Sequence, residues 1–146
     1  MIQLSTYNHP KPNKNRSGDY CMAEWYKEEK LAIGLLADGV GGRPCDWRAS
    51  KESCERVLAE LKRNTNQPLI HRLRDAVLEA SQQLQEVDGA CSGLLSTLVA
   101  VVWDIENEQA FWCSIGDSRL YALCGEELLQ CSTDQTKAVI RTHKDG

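Results

Sequence analysis

The stretch LAIGLLADGVGG at residues 31–42 decides the fold. Its first seven residues are apolar on both faces of an extended chain, which predicts a strand buried in the middle of a sheet. The five residues DGVGG at 38–42 then place one carboxylate directly after that strand and three glycines behind it. Glycine tolerates positive φ, and Pro44 lacks a backbone donor, so we expect the chain to leave the sheet here.

Other strands are predicted on both sides of this stretch. One covers residues 20–26, and the charged sequence KEEK at 27–30 is typical of a solvated hairpin turn that joins it to the buried strand. A short strand is also expected at residues 2–6. Four more are predicted later in the chain, at residues 94–103, 109–115, 119–124 and 128–131. The turns between these four are short, so we expect an antiparallel meander.

Two amphipathic helices are predicted between the buried strand and the later strands. The first begins at Asp46 and ends before a break at residues 64–67. The second begins with Pro68 at its first position and continues through Leu84. Such a pair should pack antiparallel and lay its apolar faces on the sheet. The sequence therefore predicts an α+β fold.

Composition limits the kind of protein. The 146 residues are 42% hydrophobic and 26% charged, which is typical of one globular domain, and we assign residues 1–146 to it. A net charge of −4 argues against nucleic-acid binding and against attachment to an anionic membrane. Apolar runs are too short to span a bilayer, and the polar start has no signal-peptide core. We therefore expect a cytoplasmic protein.

The seven cysteines follow no metal-binding or secretory pattern. None of them forms a Cys-x-x-Cys pair, and the histidines are not near any two of them. We expect reduced thiols, several of them buried in apolar runs, with neither a zinc site nor a disulfide framework.

Three short acidic motifs are candidates for chemistry. Asp38 begins the glycine-rich turn, Asp117 lies in a Gly-Asp turn between two strands, and Asp19 follows Ser-Gly near the start. Taken singly, each is more typical of a cap, a turn or a loop. If they converge, however, their charges repel by about 4 kcal/mol per pair at 4 Å. Divalent cations would offset that repulsion, and Mg²⁺ and Mn²⁺ prefer oxygen ligands such as these carboxylates and the Gly39 carbonyl.

Five motifs in this order resemble the metal-dependent PPM (type 2C) Ser/Thr phosphatases, and the Gly-Gly form of the second motif is more similar to the bacterial branch. They are SGDY at 17–20, LADGVGG at 36–42, GLLSTLVA at 93–100, SIGDSRLY at 114–121 and STDQT at 132–136. Each motif is weak on its own. Their order, with a helix pair between the second and the third, is specific and spans nearly the whole chain.

The resemblance implies a β-sandwich flanked by antiparallel helix pairs, with two Mg²⁺ or Mn²⁺ ions at one end. A metal-activated water would attack phosphoserine or phosphothreonine in line, so no side chain acts as the nucleophile. By position, Asp38 would bridge both ions and the Gly39 carbonyl would bind one. Asp19 would act through metal-bound water, and Asp117 would help to bind a third, weaker ion.

The chain departs from the family pattern at several positions. Lys14 stands where the family has a phosphate-binding arginine, and Arg16 is a nearby substitute. Gly18 replaces an acidic residue that often precedes Asp19, and Gln135 replaces a histidine. The family's remaining metal-binding aspartates come from a C-terminal part, so we expect the domain to be incomplete at its C-terminus. Three hypotheses follow: a phosphatase acting on phosphoproteins, a pseudophosphatase that binds a phosphoprotein or another partner without turnover, or a truncated product with no function of its own.

Overall fold

The structure is a computed structural model that describes residues 1–42 and 45–135. Within these residues two α-helices and six strands follow one another, and the predicted α+β class is confirmed. The elements are β1 (Asp19–Tyr26), β2 (Leu31–Asp38), α1 (Asp46–Arg63), α2 (Leu69–Gln85), β3 (Leu98–Asp104), β4 (Gln109–Ile115), β5 (Tyr121–Cys124) and β6 (Glu127–Gln130). Pro44, which follows the glycine-rich turn, and Thr136 of the fifth motif lie outside the described residues.

The first four strands form one antiparallel sheet in the order β1-β2-β3-β4, and β5 pairs with β6 in a separate hairpin. The prediction that β2 lies inside the sheet is confirmed, since β1 and β3 flank it. Its alternate side chains Leu31, Ile33, Leu35 and Ala37 are all buried. Because strand side chains alternate in direction, this buried row faces a single layer, which is the helix pair.

The helix pair covers one face of the sheet. Val57 and Leu61 of α1 are 1% and 2% exposed and pack in one core cluster with β2 and β3. Burying such a side chain stabilises the fold by about 1.5–3 kcal/mol. Arg72 of α2 is also buried, and it donates to both carboxylate oxygens of Glu29 in the β1–β2 turn, at 3.0 and 2.8 Å. No helix in the described ranges is both long and apolar enough to cross a membrane.

Some predicted boundaries are wrong. Residues 2–6 form no strand. β3 begins at Leu98 rather than at residue 94, because Leu94 leaves the sheet to pack against Ala49 and Leu84 in a second small cluster. β5 begins two residues later than predicted, at Tyr121.

The expectation that no disulfide forms is also wrong. Cys45, directly before α1, is bonded to Cys91 in the short 3-10 turn Gly89–Cys91, and their Cα atoms are 5.5 Å apart. That separation lies in the usual range for a disulfide. The two residues are 46 positions apart, and only the packing of the helix pair brings them together. The other five cysteines are free, and burial raises the pKa of the Cys54 thiol to about 12.

Candidate metal centre

The site lies where β1 begins and β2 ends. In the antiparallel register Asp19 is directly opposite Asp38, so the two carboxyl groups occupy one end of the sheet. Next to them the Gly39 amide donates to the Gly18 carbonyl at 2.9 Å, which continues the ladder one step beyond the strands. The hairpin therefore creates a pair of like charges at its open end.

The pairing of the two carboxyl groups changes the pKa of Asp38. Partial burial, a hydrogen bond with the Asp19 carboxyl, and the negative charges of Asp19 and Asp117 together raise the pKa of Asp38 to about 6. Lys11 opposes this change. At neutral pH the pair carries repelling charges that a proton or a cation would offset.

Two hydroxyl-bearing residues hold the end of β2 in place. Thr97 Oγ1 accepts a hydrogen bond from the Asp38 amide at 3.0 Å, and the Thr97 amide donates to the Asp38 carbonyl at 2.9 Å. The Ser118 hydroxyl lies 2.6 Å from the same Thr97 oxygen. Gly116 adopts φ +90°, and a Cβ there would lie 2.7 Å from Thr97 Cγ2. Thr97 and Ser118 thus position Asp38, a role that sequence reasoning missed.

Gly39 and the start of α1 are in close contact. A Cβ on Gly39 would lie 2.0 Å from the Asp46 carbonyl oxygen, so only glycine fits at this position. The side chain of Asp46 lies beside Gly18, because a Cβ on Gly18 would be 3.1 Å from Asp46 Oδ2. Asp46 is therefore an additional carboxylate at this end of the sheet, and it was not among the predicted ligands.

Comparison with known proteins identifies the architecture. No protein-family model matches the chain, and no curated protein does. Among solved structures, the Mycobacterium tuberculosis serine/threonine phosphatase PstP/Ppp matches with a TM-score of 0.65 and 27% identity, over 83% of this chain and 49% of that one. The chain has the PPM phosphatase fold. Its resemblance to the family is thereby confirmed.

Two other PPM structures support this conclusion. The PPM Ser-Thr phosphatase MsPP from Mycobacterium smegmatis, in complex with cacodylate, has a TM-score of 0.65 and 24% identity, covering 84% of this chain and 49% of that one. Serine/threonine phosphatase Stp1 from Staphylococcus aureus has a TM-score of 0.68 and 18% identity, with 92% and 56% covered. The chain spans about half the length of these structures and corresponds to the N-terminal part of the PPM fold.

The acidic residues predicted as PPM-type ligands meet only in part. Asp19 and Asp38 are adjacent, while Asp117 is near enough to affect the pKa of Asp38. Within residues 1–42 and 45–135, however, no three Asp, Glu, His or Cys side chains are gathered closely enough to hold a metal ion. The donor set still fits a hard divalent cation, because Mg²⁺ commonly binds through one or two carboxylates and keeps several waters.

The predicted phosphate-binding residues lie in the segment before β1. The Lys14 amide donates to the Lys11 carbonyl at 3.1 Å, which closes a turn. The guanidinium of Arg16 lies over the Trp47 ring, 4.4 Å from its centre. Lys11 is the cation that acts on Asp38, and sequence reasoning did not single it out. A cavity of about 350 Å³ lies at the Asp19–Asp38 end of the sheet and is also lined by Ser118 and the segment Tyr7, Asn8 and His9.

The fourth and fifth PPM-like motifs are in direct contact. Arg119 donates to both carboxylate oxygens of Asp134, at 2.6 and 3.0 Å for the shortest contact of each. The backbone amide of Gln135 donates to the Gly116 carbonyl at 2.8 Å. The hydrogen bonds from Arg119 lower the pKa of the Asp134 carboxyl. Gln135, the departure from the family histidine, thus contacts the turn that carries Asp117.

We expect the free energy of unfolding in EDTA to fall as the pH rises from the ordinary pKa of an aspartate to the raised pKa of Asp38. Its pKa is about 6 in the folded chain against an ordinary value of 3.8, so between these values the folded state binds more protons than the unfolded state. The free energy of unfolding therefore decreases from pH 4 to pH 7. Because Asp38 is exposed, we expect a contribution on the order of 1 kcal/mol.

Urea unfolding of the wild type and of Asp38→Asn at pH 4.5 and pH 7 measures this contribution. The variant lacks the titrating group, so its stability relative to the wild type should rise with pH. An unchanged difference between the two proteins would contradict the carboxyl pairing.

Proposed function

We propose that the chain belongs to a protein phosphatase that hydrolyses phosphoserine or phosphothreonine with the help of Mg²⁺ or Mn²⁺. The observation that carries this proposal is the Asp19–Asp38 pair beside the Gly39 carbonyl at the open end of a PPM-type hairpin. Bound divalent ions would supply Lewis acidity and an activated water at neutral pH. A phosphorylated protein would be the substrate, and a cytoplasmic location is part of the same proposal.

Each candidate residue of this chain would have its own role in binding the ions. Asp38 and the Gly39 carbonyl would hold the cations, and Asp19 would act through a bound water. Asp117, from the turn after β4, helps to hold a third and weaker ion. Each role relies on oxygen donors that suit hard cations.

Cationic side chains before β1 would bind the phosphate. Arg16 is held against Trp47, which limits its motion, and a guanidinium can bind a phosphate through two parallel hydrogen bonds. Lys14 and Lys11 contribute point charges from the adjoining turn. Lys11 acts electrostatically on Asp38 and lowers its pKa, which supports a role for that amine in binding the phosphate.

A second candidate function is a pseudophosphatase that binds phosphoproteins without hydrolysis. It is favoured by the small number of carboxylates that are gathered together among the described residues. In this case Arg16, Lys14 and a single cation would form a phosphate-binding surface. The two candidates differ in turnover and not in what they bind.

We expect phosphate release from p-nitrophenyl phosphate and from a phosphothreonine peptide in the presence of Mn²⁺, and complete loss of release in EDTA. Release is measured colorimetrically, and binding of the same peptide is measured by fluorescence anisotropy. Peptide binding without release would favour the pseudophosphatase. Release that continues in EDTA would contradict the metal mechanism. If the peptide is neither bound nor hydrolysed, both candidates are overturned.

A further inference from the structure

A single disulfide lies near the end of β2. Cys45 and Cys91 are bonded, whereas the other five cysteines are free. Small secreted domains that depend on disulfides pair most of their cysteines, which this chain does not. In a reducing compartment, by contrast, a disulfide is usually transient and redox-sensing. Both bonded residues are partly exposed, so a reductant can approach the bond while the chain is folded.

The disulfide closes a ring of residues around the end of β2. There the chain pairs with the segment that leads into β3. The Thr97 amide donates to the Asp38 carbonyl at 2.9 Å, and the Val40 amide donates to the Leu95 carbonyl at 3.0 Å. An antiparallel bridge lies between these two bonds. The disulfide joins the same two segments a second time, farther from the sheet.

The glycine-rich turn inside this ring has little packing of its own. A Cβ added to Gly41 or Gly42 would meet no heavy atom within 4 Å beyond its chain neighbours. Gly39 is different, because a Cβ there would lie 2.0 Å from the carbonyl oxygen of Asp46. Asp46 directly follows Cys45 in the chain. The position of Cys45 therefore affects the contact that holds Gly39.

The backbone of Cys45 has an unusual conformation. Its φ is +62°, in the left-handed region that residues with a side chain rarely adopt. Such a conformation persists only when the surrounding structure holds it. The disulfide is one constraint, and packing in the small cluster of Ala49, Leu84 and Leu94 is another. Opening the bond removes the covalent constraint and lets Cys45 return to negative φ, which loosens the contact between Asp46 and Gly39.

We propose that the Cys45–Cys91 disulfide is a redox-controlled lock on the end of β2 and on the glycine-rich turn that follows it. In the oxidised chain Asp38 and the Gly39 carbonyl keep the arrangement described above. In the reduced chain the hydrogen bonds at this end of the sheet open more often. The lock does not require the proposed metal-dependent function, and only its effect on cation binding rests on that function.

The switching step is thiol–disulfide exchange with a dithiol reductant. One thiolate of the dithiol attacks a sulfur of the disulfide, forms a mixed disulfide and releases the other cysteine as a thiolate. The second thiolate of the dithiol then displaces the remaining cysteine, and the reductant leaves as its own disulfide. Two electrons pass to the protein, and each cysteine sulfur takes up a proton. The oxidised dithiol reverses these steps.

Amide hydrogen exchange of the 146-residue protein in EDTA, resolved by NMR, tests the lock. The Val40 and Thr97 amides report on the locked end. The Ile105 amide, which donates to the Lys30 carbonyl at the other end of the β2–β3 pair, is the internal control. We expect reduction by dithiothreitol to accelerate exchange at Val40 and Thr97 about tenfold more than at Ile105. Local opening produces this difference, because global unfolding exposes all three amides alike.

Two variants and a thiol count control this experiment. The double variant Cys45→Ala, Cys91→Ala should exchange like the reduced wild type without any reductant. Cys124→Ser, which alters an exposed free thiol, should respond to dithiothreitol as the wild type does. Folded protein that is treated, quenched in acid and then denatured should titrate five thiols before dithiothreitol and seven after it.

Calorimetric titration with Mn²⁺, after the dithiol has been removed, measures the consequence for the candidate metal centre. We expect the reduced protein and the double variant to bind Mn²⁺ about fivefold more weakly than the oxidised protein, a typical size for coupling between sites. The physical reason is that a site held in place before binding loses less entropy when the ion binds.

The outcomes separate the lock from the proposed function. Acceleration concentrated at Val40 and Thr97, with weaker Mn²⁺ binding, supports the lock and its effect on the site. Equal acceleration at all three amides, or none, makes the disulfide a general brace and overturns the lock. A bond that dithiothreitol leaves intact in the folded protein also overturns it. Local opening with unchanged Mn²⁺ affinity overturns the effect on the site. Local opening in a protein that binds no Mn²⁺ in either state supports the lock and overturns the proposed function.

Discussion

Replacing Asp38 with asparagine should lower Mn²⁺ affinity at least 100-fold. Asp38 is the residue at which the proposed interactions meet, since it is opposite Asp19, next to the Gly39 carbonyl and within electrostatic range of Asp117. An amide has nearly the same shape but no charge, and a carboxylate is a far better ligand for a hard cation. A 100-fold loss corresponds to about 2.7 kcal/mol of binding free energy.

The same variant should remain folded. The hydrogen bonds that hold position 38 use its backbone amide and carbonyl with Thr97, and both survive the substitution. Removal of one of two repelling charges should also make Asp38→Asn at least as stable as the wild type at pH 7 in EDTA. Loss of binding without loss of stability would therefore assign the effect to the metal centre.

Asp104→Asn is a suitable control for this experiment. Asp104 ends β3 opposite Leu31, at the other end of the sheet from Asp38. Its side chain accepts hydrogen bonds from Asn107, one of which an asparagine can keep. Calorimetric titration should give wild-type affinity for Asp104→Asn. Equal Mn²⁺ affinity in Asp38→Asn and the wild type would reject the centre described above.

Opening the Cys45–Cys91 disulfide should lower the free energy of unfolding by about 2–4 kcal/mol. The bond closes a loop between residues 46 positions apart that contains both helices, so it restricts the unfolded chain strongly. It also joins the start of α1 to the turn before β3. Because stabilities of single domains are about 5–15 kcal/mol, this change removes a large share of the total.

Urea unfolding with and without a phosphine reductant measures this effect. The double variant Cys45→Ala, Cys91→Ala should have the lowered stability and no further response to reductant. Cys124→Ser, which alters an exposed free thiol, is the control and should respond as the wild type does. Thiol titration of the oxidised, denatured protein should find five free cysteines. Seven titrating thiols, or a midpoint that reductant does not change, would contradict the bond.

Much of the candidate site could be predicted from local sequence. The charged turn at residues 27–30 places Tyr26 opposite Leu31, and counting outward from it places Asp19 opposite Asp38. Alternating and continuous apolar runs predicted β1, β2, β4 and both helices, because burial requires a regular spacing of apolar side chains. The sequence also pointed to Gly39 as a site residue. It did not show why this residue must be glycine, which is its close contact with the backbone of Asp46.

Order and spacing along the chain therefore determined the hairpin, the helix pair and the carboxylates at the end of β2. Tertiary structure alone decided that Cys45 meets Cys91, that Asp46 lies beside Gly18, and that Asp117 approaches Asp38 without joining a closed cluster. The physical reason is the range of the interactions. Hydrogen-bonded register and helical periodicity repeat over a few residues. These three contacts instead depend on how the helix pair and a distant turn pack against one end of the sheet.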